Sequence, residues 1–137
     1  MPIITDSSFV YALYNTRDSR HQEAMGFATQ YTGGTVIPDV IVPEVSYLFS
    51  RDLGYAGVQK FLEHFKQINA RFEPIERGDL ARVHEIAVAY SDAEFDVVDC
   101  CIMALAERLN IKQVATFDRR DFSIFRPKHC DYLELLP

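Results

Sequence analysis

Residues 95–118 read F-D-V-V-D-C-C-I-M-A-L-A-E-R-L-N-I-K-Q-V-A-T-F-D. The first fifteen, Phe95 to Leu109, form one of the most apolar helical stretches in the chain. Val98, Cys101, Ile102, Leu105 and Leu109 fall on one face at 3.6 residues per turn. Asp99 lies at the edge of that face, beside Met103 and Ala106, with Asp96 at the helix start. A strand, Gln113–Thr116, follows, and Asp118 comes two residues after it. A buried helix leading into a buried strand that ends on an acid is one unit of an α/β protein.

The same alternation extends toward the N-terminus. Ile3-Ile4 is a short strand ending near Asp6, and Ser7 or Ser8 is placed to cap a helix through Phe9, Val10, Leu13 and Tyr14. Ser19 can cap a second helix, stopped by Gly33-Gly34. Thr35–Ile37 is a strand. A helix from about Asp39 or Val42 to Leu53 follows, with Pro43 in its first turn, and Gly54 ends it. Tyr55–Ile68 is helical and Arg71–Ile75 extended. Asp79–Tyr90 is an amphipathic helix built on Leu80, Val83, Ile86 and Ala87. After F-D-R-R-D-F, a last strand lies around Tyr132–Leu135. The expected fold is a single α/β domain over residues 1–137, with a parallel sheet between two helical layers.

In such sheets, sites lie beyond the carboxyl ends of strands where the strand order reverses. Asp6 and Asp118 fall at such ends. Glu44 sits in the apolar run V-I-V-P-E-V-S-Y-L-F, and Asp99 at the margin of an apolar helix; an unpaired carboxylate is costly to desolvate at either place. Asp96 suits a helix N-cap, with Asp99 three residues on as in a capping box. Asp121 suits a solvated turn capping a short helix. Asp6, Glu44, Asp99 and Asp118 come from four elements and would repel one another without a counter-charge. An all-oxygen donor set suits Mg²⁺ or Mn²⁺, which retain waters and bind phosphates.

The chain has 137 residues and a net charge of −6, with 10 Phe, 7 Tyr and no Trp. That size and apolar content suit one globular core. The charge argues against nucleic-acid binding by bulk positive potential, but not against binding through metal ions held by carboxylates. No secretory signal or membrane-length apolar run is present, so the cytosol is the expected compartment. Three cysteines, two of them adjacent, do not suggest a disulfide framework. Cys101 reads as a small hydrophobe and Cys100, toward Glu107, as the more exposed of the pair. His129-Cys130 lacks a zinc spacing.

I-I-T-D-S-S-F, R-H-Q-E-A around His21, V-P-E-V-S-Y-L-F, V-V-D-C-C-I-M-A-L-A-E-R-L and A-T-F-D-R-R-D-F occur in this order over essentially the whole chain. In order and spacing the sequence resembles the PIN-domain ribonucleases, most closely the VapC-type toxins of toxin–antitoxin pairs. The resemblance implies a three-layer α/β/α PIN-like domain with a central parallel sheet of about five strands. It implies metal-dependent endonucleolytic hydrolysis of RNA, with Mg²⁺ (or Mn²⁺) on an acid cluster. Asp6, Glu44 and Asp99 match the core acids and Asp118 the more variable fourth, while Asp96 and Asp121 are accessory candidates. It implies a tRNA or rRNA class of substrate, a small antitoxin partner and a homodimer; the lack of a membrane-length apolar run separately argues against a membrane partner.

A housekeeping RNA-processing PIN nuclease, or a catalytically silent PIN-like binding module, would share the fold. Of the basic residues, Arg119 and Arg120, flanking Asp118, are the expected substrate contacts; Arg17, Arg20, Arg126 and Lys128 read as ordinary surface charge. An aspartyl-nucleophile phosphatase needs a second Asp where Ser8 stands, and a receiver domain needs a Lys after a late strand, where Lys112 instead precedes it.

Overall fold

A computed structural model describes residues 1–137. Its strands are β1 (Ile3–Thr5), β2 (Thr35–Pro38), β3 (Arg71–Glu73), β4 (Gln113–Ala115) and β5 (Glu134–Leu136). They form one five-stranded sheet in the order β3-β2-β1-β4-β5, parallel at every pairing. The helices are α1 (Ser7–Tyr14), α2 (His21–Gln30), α3 (Ile41–Phe65), α4 (Arg77–Ala89), α5 (Val97–Arg108) and α6 (Arg120–Ile124). None is long and apolar enough to cross a membrane.

The register explains the layering. Ile4 pairs with both Val36 and Val114, and these three share the main core with Ile102 and Leu105 of α5. Ile3 and Ala115 instead join Phe9 and Ala12 of α1 and Ala24 of α2 in a second core. Strands covered on both faces carry no polar alternation, hence the short runs of Ile, Val and Ala. Chain order runs outward through β2 and β3 on one side of β1, and through β4 and β5 on the other. The crevice between the carboxyl ends of β1 and β4 is therefore the point of strand reversal.

Several local readings change. The N-cap of α1 is Asp6, not Ser7 or Ser8: its carboxylate accepts from the Phe9 N–H. Helix α2 begins one residue after Arg20, without a Ser19 cap; Asp18 accepts the Arg20 N–H instead. The break expected at Gly54 is present, by contrast: α3 is two helices meeting at a kink on that glycine, whose φ of 72° and ψ of −175° are not helical. Only glycine adopts this backbone cheaply. An aromatic series, Phe49–Phe61–Phe65 with Tyr11 and Tyr14 against it, joins both halves of α3 to α1.

Helix α5 has no single apolar face. Cys100 through Ala106 are all buried, and Cys100, expected to be the more exposed cysteine, is fully so. A helix surrounded by protein is apolar all round. Asn110 ends it in the left-handed conformation that asparagine tolerates, with φ 54°. In α4, Leu80 and Ala87 face solvent, contrary to the amphipathic reading. The inner face is made by Val83, Ile86 and a buried aspartate, Asp79. Arg108 of α5 holds Asp79 at 2.9 Å and reaches Glu73 of β3 at 2.9 Å. This ion-pair cluster, not an extra leucine, ties α4 to α5 and the sheet edge.

Candidate acidic active site

Asp6, Ser7, Ser8, Glu44, Leu48, Asp96, Asp99, Asp118 and Asp121 line one cleft of about 200 Å³. It lies at the β1–β4 crevice. All six acids picked out in the sequence meet there. Leu48 is its only apolar lining residue, and no Lys, Arg or His lines it.

Five elements place the six acids: the ends of β1 and β4, and helices α3, α5 and α6, with Asp96 and Asp99 both from α5. Asp6 follows β1 directly and is buried. One carboxylate oxygen takes the Phe9 N–H at 2.9 Å and the Ser8 hydroxyl at 2.8 Å; the other takes the Thr116 hydroxyl. Thr116 Oγ1 in turn accepts the Asp118 N–H at 3.0 Å, and Ser8 Oγ accepts the Phe117 N–H at 2.9 Å. Ser8 and Thr116 thus tie the ends of β1 and β4 together. Neither was a candidate in the sequence, although the adjacent acids Asp6 and Asp118 mark where to look.

Glu44 comes from the first turn of α3, half-buried, with no ion pair or hydrogen bond to its side chain. Asp96 is the N-cap of α5, accepting the Val98 N–H at 2.8 Å. The capping box does not close, because the Asp96 N–H donates to Asp121 at 3.1 Å rather than to Asp99. Asp99 is therefore not needed by the helix end. Asp121 is not a solvated cap either. It is buried, lies inside the first turn of α6, and is held by Arg120 at 2.7 Å.

Neither arginine expected to contact substrate lines the cleft. Arg120 is bound to Asp121 and to the Ala93 carbonyl at 2.8 Å, which clamps α6 to the turn before α5. Arg119 donates to the Pro137 carbonyl.

The cleft strains its own charges. Burial pushes Asp6 up to about 6, against the opposing pull of the hydrogen bonds from Thr116, Phe9 and Ser8. Asp99 is driven well above the carboxylate range, first by burial, then by a hydrogen bond shared with Asp121, then by the charges of Asp6, Asp121 and Asp96. Without a cation this group of acids retains protons. The Ser7 hydroxyl is buried at the cleft with no hydrogen-bond partner. An orphaned hydroxyl beside oxygen-only donors fits a hydrated hard cation, whose waters can satisfy it. No group of three or more of these side chains stands in a metal-holding arrangement. Mg²⁺ keeps several waters and takes few protein ligands, so a full cage of side chains is not required of the site. Asp6, Glu44 and Asp99 could hold the ion, with Asp118 beside them.

The PIN domain family model matches residues 3–126. The chain belongs to the PIN-domain family. Ribonuclease VapC26 of Mycobacterium tuberculosis is 22% identical over 125 residues, covering 91% of this chain and 93% of that protein. The crystal structure of Mycobacterium tuberculosis VapC20, a sarcin–ricin loop cleaving toxin, superposes with a TM-score of 0.83 at 22% identity, over 98% of this PIN domain and 99% of that chain. VapBC2 from Rickettsia felis, solved bound to a DNA fragment from its promoter, superposes with a TM-score of 0.70 at 14% identity, over 98% and 97% of the two chains. The α/β/α architecture with a five-stranded parallel sheet is the fold of these neighbours.

Proposed function

We propose that this PIN domain is a metal-dependent endoribonuclease of the VapC type, the toxin of a toxin–antitoxin pair. The observation that carries this reading is the convergence of six carboxylates from five elements in one cleft at the strand reversal. Such a group is costly unless it serves a cation. The similarity to VapC26, a ribonuclease, and VapC20, a sarcin–ricin loop cleaving toxin, supports RNA as the substrate, and we take its class to be ribosomal or transfer RNA.

Asp6, Glu44 and Asp99 would hold Mg²⁺ or Mn²⁺, with Asp118 as a further ligand. When bound, the ion supplies Lewis acidity toward the phosphodiester and lowers the pKa of water. The chain's own part is placement. The Ser8–Thr116 bridge fixes Asp6 against Asp118, and α5 delivers Asp99 from a rigid, buried helix. Asp96 and Asp121 assist by setting the first turn of α5, and Asp121 shares a hydrogen bond with Asp99.

A small antitoxin encoded beside the gene, a homodimer and a cytoplasmic location complete the reading. Exposed Tyr47 and Tyr55 on α3 and Phe72 on β3 offer apolar surface for association. A housekeeping RNA-processing nuclease would need the same cleft; a short upstream reading frame for a DNA-binding protein favours the toxin.

The test is cleavage of total RNA by purified protein. Cleavage is expected with Mg²⁺ or Mn²⁺ and none with excess chelator. Cleavage that persists in chelator, or its absence with both metals, contradicts the assignment.

A further inference from the structure

An acidic cleft attracts a cation but repels the phosphates on either side of the bond to be cut. RNA is held in register largely through such phosphates. Some basic group near the cleft must therefore offer free donors in a fixed position. Arg120 does not, since its guanidinium is committed to Asp121 and Ala93; Arg119 is bound through Nη2 alone, to the Pro137 carbonyl, and rests on no aromatic ring that would fix its free edge. Arg51 is bound through two nitrogens to Asp52, and Arg126 to the Ser123 and Phe125 carbonyls.

Arg20 is different. Its guanidinium carbon lies 4.8 Å from the ring centroid of Phe117, the residue before Asp118. Phe117 is itself immobilised. Its N–H is bound to Ser8 of the cleft, and its ring stacks on Phe9 at 5.8 Å. The backbone of Arg20 is fixed as well. Its N–H donates to Asp18 at 2.7 Å, and the neighbouring His21 ring bonds the Ala12 carbonyl at 2.9 Å. Glu23 takes only Nη1, at 2.9 and 3.3 Å, so Nε and Nη2 have no protein partner. The side chain is 52% exposed. A guanidinium stacked on an aromatic face keeps its edge free, and that edge matches a phosphate.

We propose that Arg20, docked on Phe117 beside Asp118, is a substrate-positioning residue that holds an RNA phosphate flanking the scissile one. Glu23 competes for the same guanidinium and weakens this hold. The inference rests on the ribonuclease reading. It makes Arg20, rather than Arg119 or Arg120, the principal phosphate contact near the cleft.

The test uses the intact protein and a labelled RNA oligonucleotide carrying a cleavage site mapped from total RNA. Arg20→Ala is expected to raise KM about 10-fold with kcat changed by less than about 2-fold, the effect of one charge-assisted contact. It should also reduce the dependence of log KM on log salt by about 0.7, the value of one phosphate on a single strand. Arg20→Lys should recover part of the loss, since it restores charge without the planar fork. Glu23→Gln should lower KM. If Arg20→Ala leaves KM and the salt slope at wild-type values, the proposal is wrong. A fall in kcat matching a fall in melting temperature makes Arg20 structural and also overturns it. Should Arg20→Ala not fold, Glu23→Gln carries the test, and an unchanged KM there refutes the proposal. A wild-type protein that cuts no RNA defeats the nuclease reading itself, which is a separate outcome.

Discussion

Asp6→Asn is expected to lower RNA cleavage by at least about 100-fold, in line with the loss of a group that sets metal affinity and activity. The fold should survive. Asn is as good an N-cap as Asp, and its side-chain oxygen can still accept from Phe9 and Ser8. On the other side, the new amide can donate to Thr116, whose hydroxyl reverses its role. What is lost is one negative charge in the cleft. Cleavage of RNA in Mn²⁺, alongside thermal melting, separates the two effects. Wild-type cleavage by a folded Asp6→Asn protein would show that the acid is a cap and nothing more.

The second large effect concerns stability. A carboxyl raised in the native state binds protons that the unfolded chain has released, so stability falls as pH rises. For Asp6, raised from 3.8 to about 6, the contribution is complete below the unfolded value and lost as pH passes about 6. A shift of that size corresponds to at most about 3 kcal/mol. Asp99 extends the loss toward alkaline pH. Asp79 and Glu107 titrate the other way. Burial disfavours their charged forms, but Arg108 and Arg82 outweigh it and hold both below the usual range, so their effect is confined to acid.

Metal-free protein is therefore expected to melt higher at about pH 5.5 than at pH 8, by several degrees for about 1–2 kcal/mol. Added Mn²⁺ should reverse the order by stabilising the ionised cleft at pH 8. Asp99→Asn should raise the pH 8 melting temperature of the metal-free protein, flatten the pH dependence and abolish most of the Mn²⁺ effect. Melting curves at the two pH values with and without Mn²⁺ decide this. A destabilised Asp99→Asn protein with an unaltered metal response would mean that Asp99 supports the helix, not the ion.

The acids were legible because they break apolar surroundings. Glu44 in V-I-V-P-E-V and Asp99 at the edge of α5 are both conspicuous by cost, and Asp6 and Asp118 by position after strands. The alternation of elements gave the parallel sheet for the same reason: Ile, Val and Ala in short uninterrupted runs have few other uses. What was hidden depends on contacts distant in sequence. The Asp6–Thr116 and Ser8–Phe117 bonds join residues 110 and 109 positions apart. Asp121 resembled a turn residue until α6 folded back on Asp96. Periodicity misplaced Leu80 because the inner face of α4 uses an aspartate satisfied by Arg108, and it misjudged Cys100 because α5 is enclosed on all sides. Arg20 looked like surface charge, since only the fold sets it on Phe117.

The most direct measurement is anomalous scattering from crystals soaked in Mn²⁺. A peak is expected in the cleft, at coordination distance from carboxylate oxygens of Asp6, Glu44 or Asp99, with waters completing the sphere. A cleft that stays empty of Mn²⁺ at millimolar concentration, or a peak bound only elsewhere, would contradict this assignment.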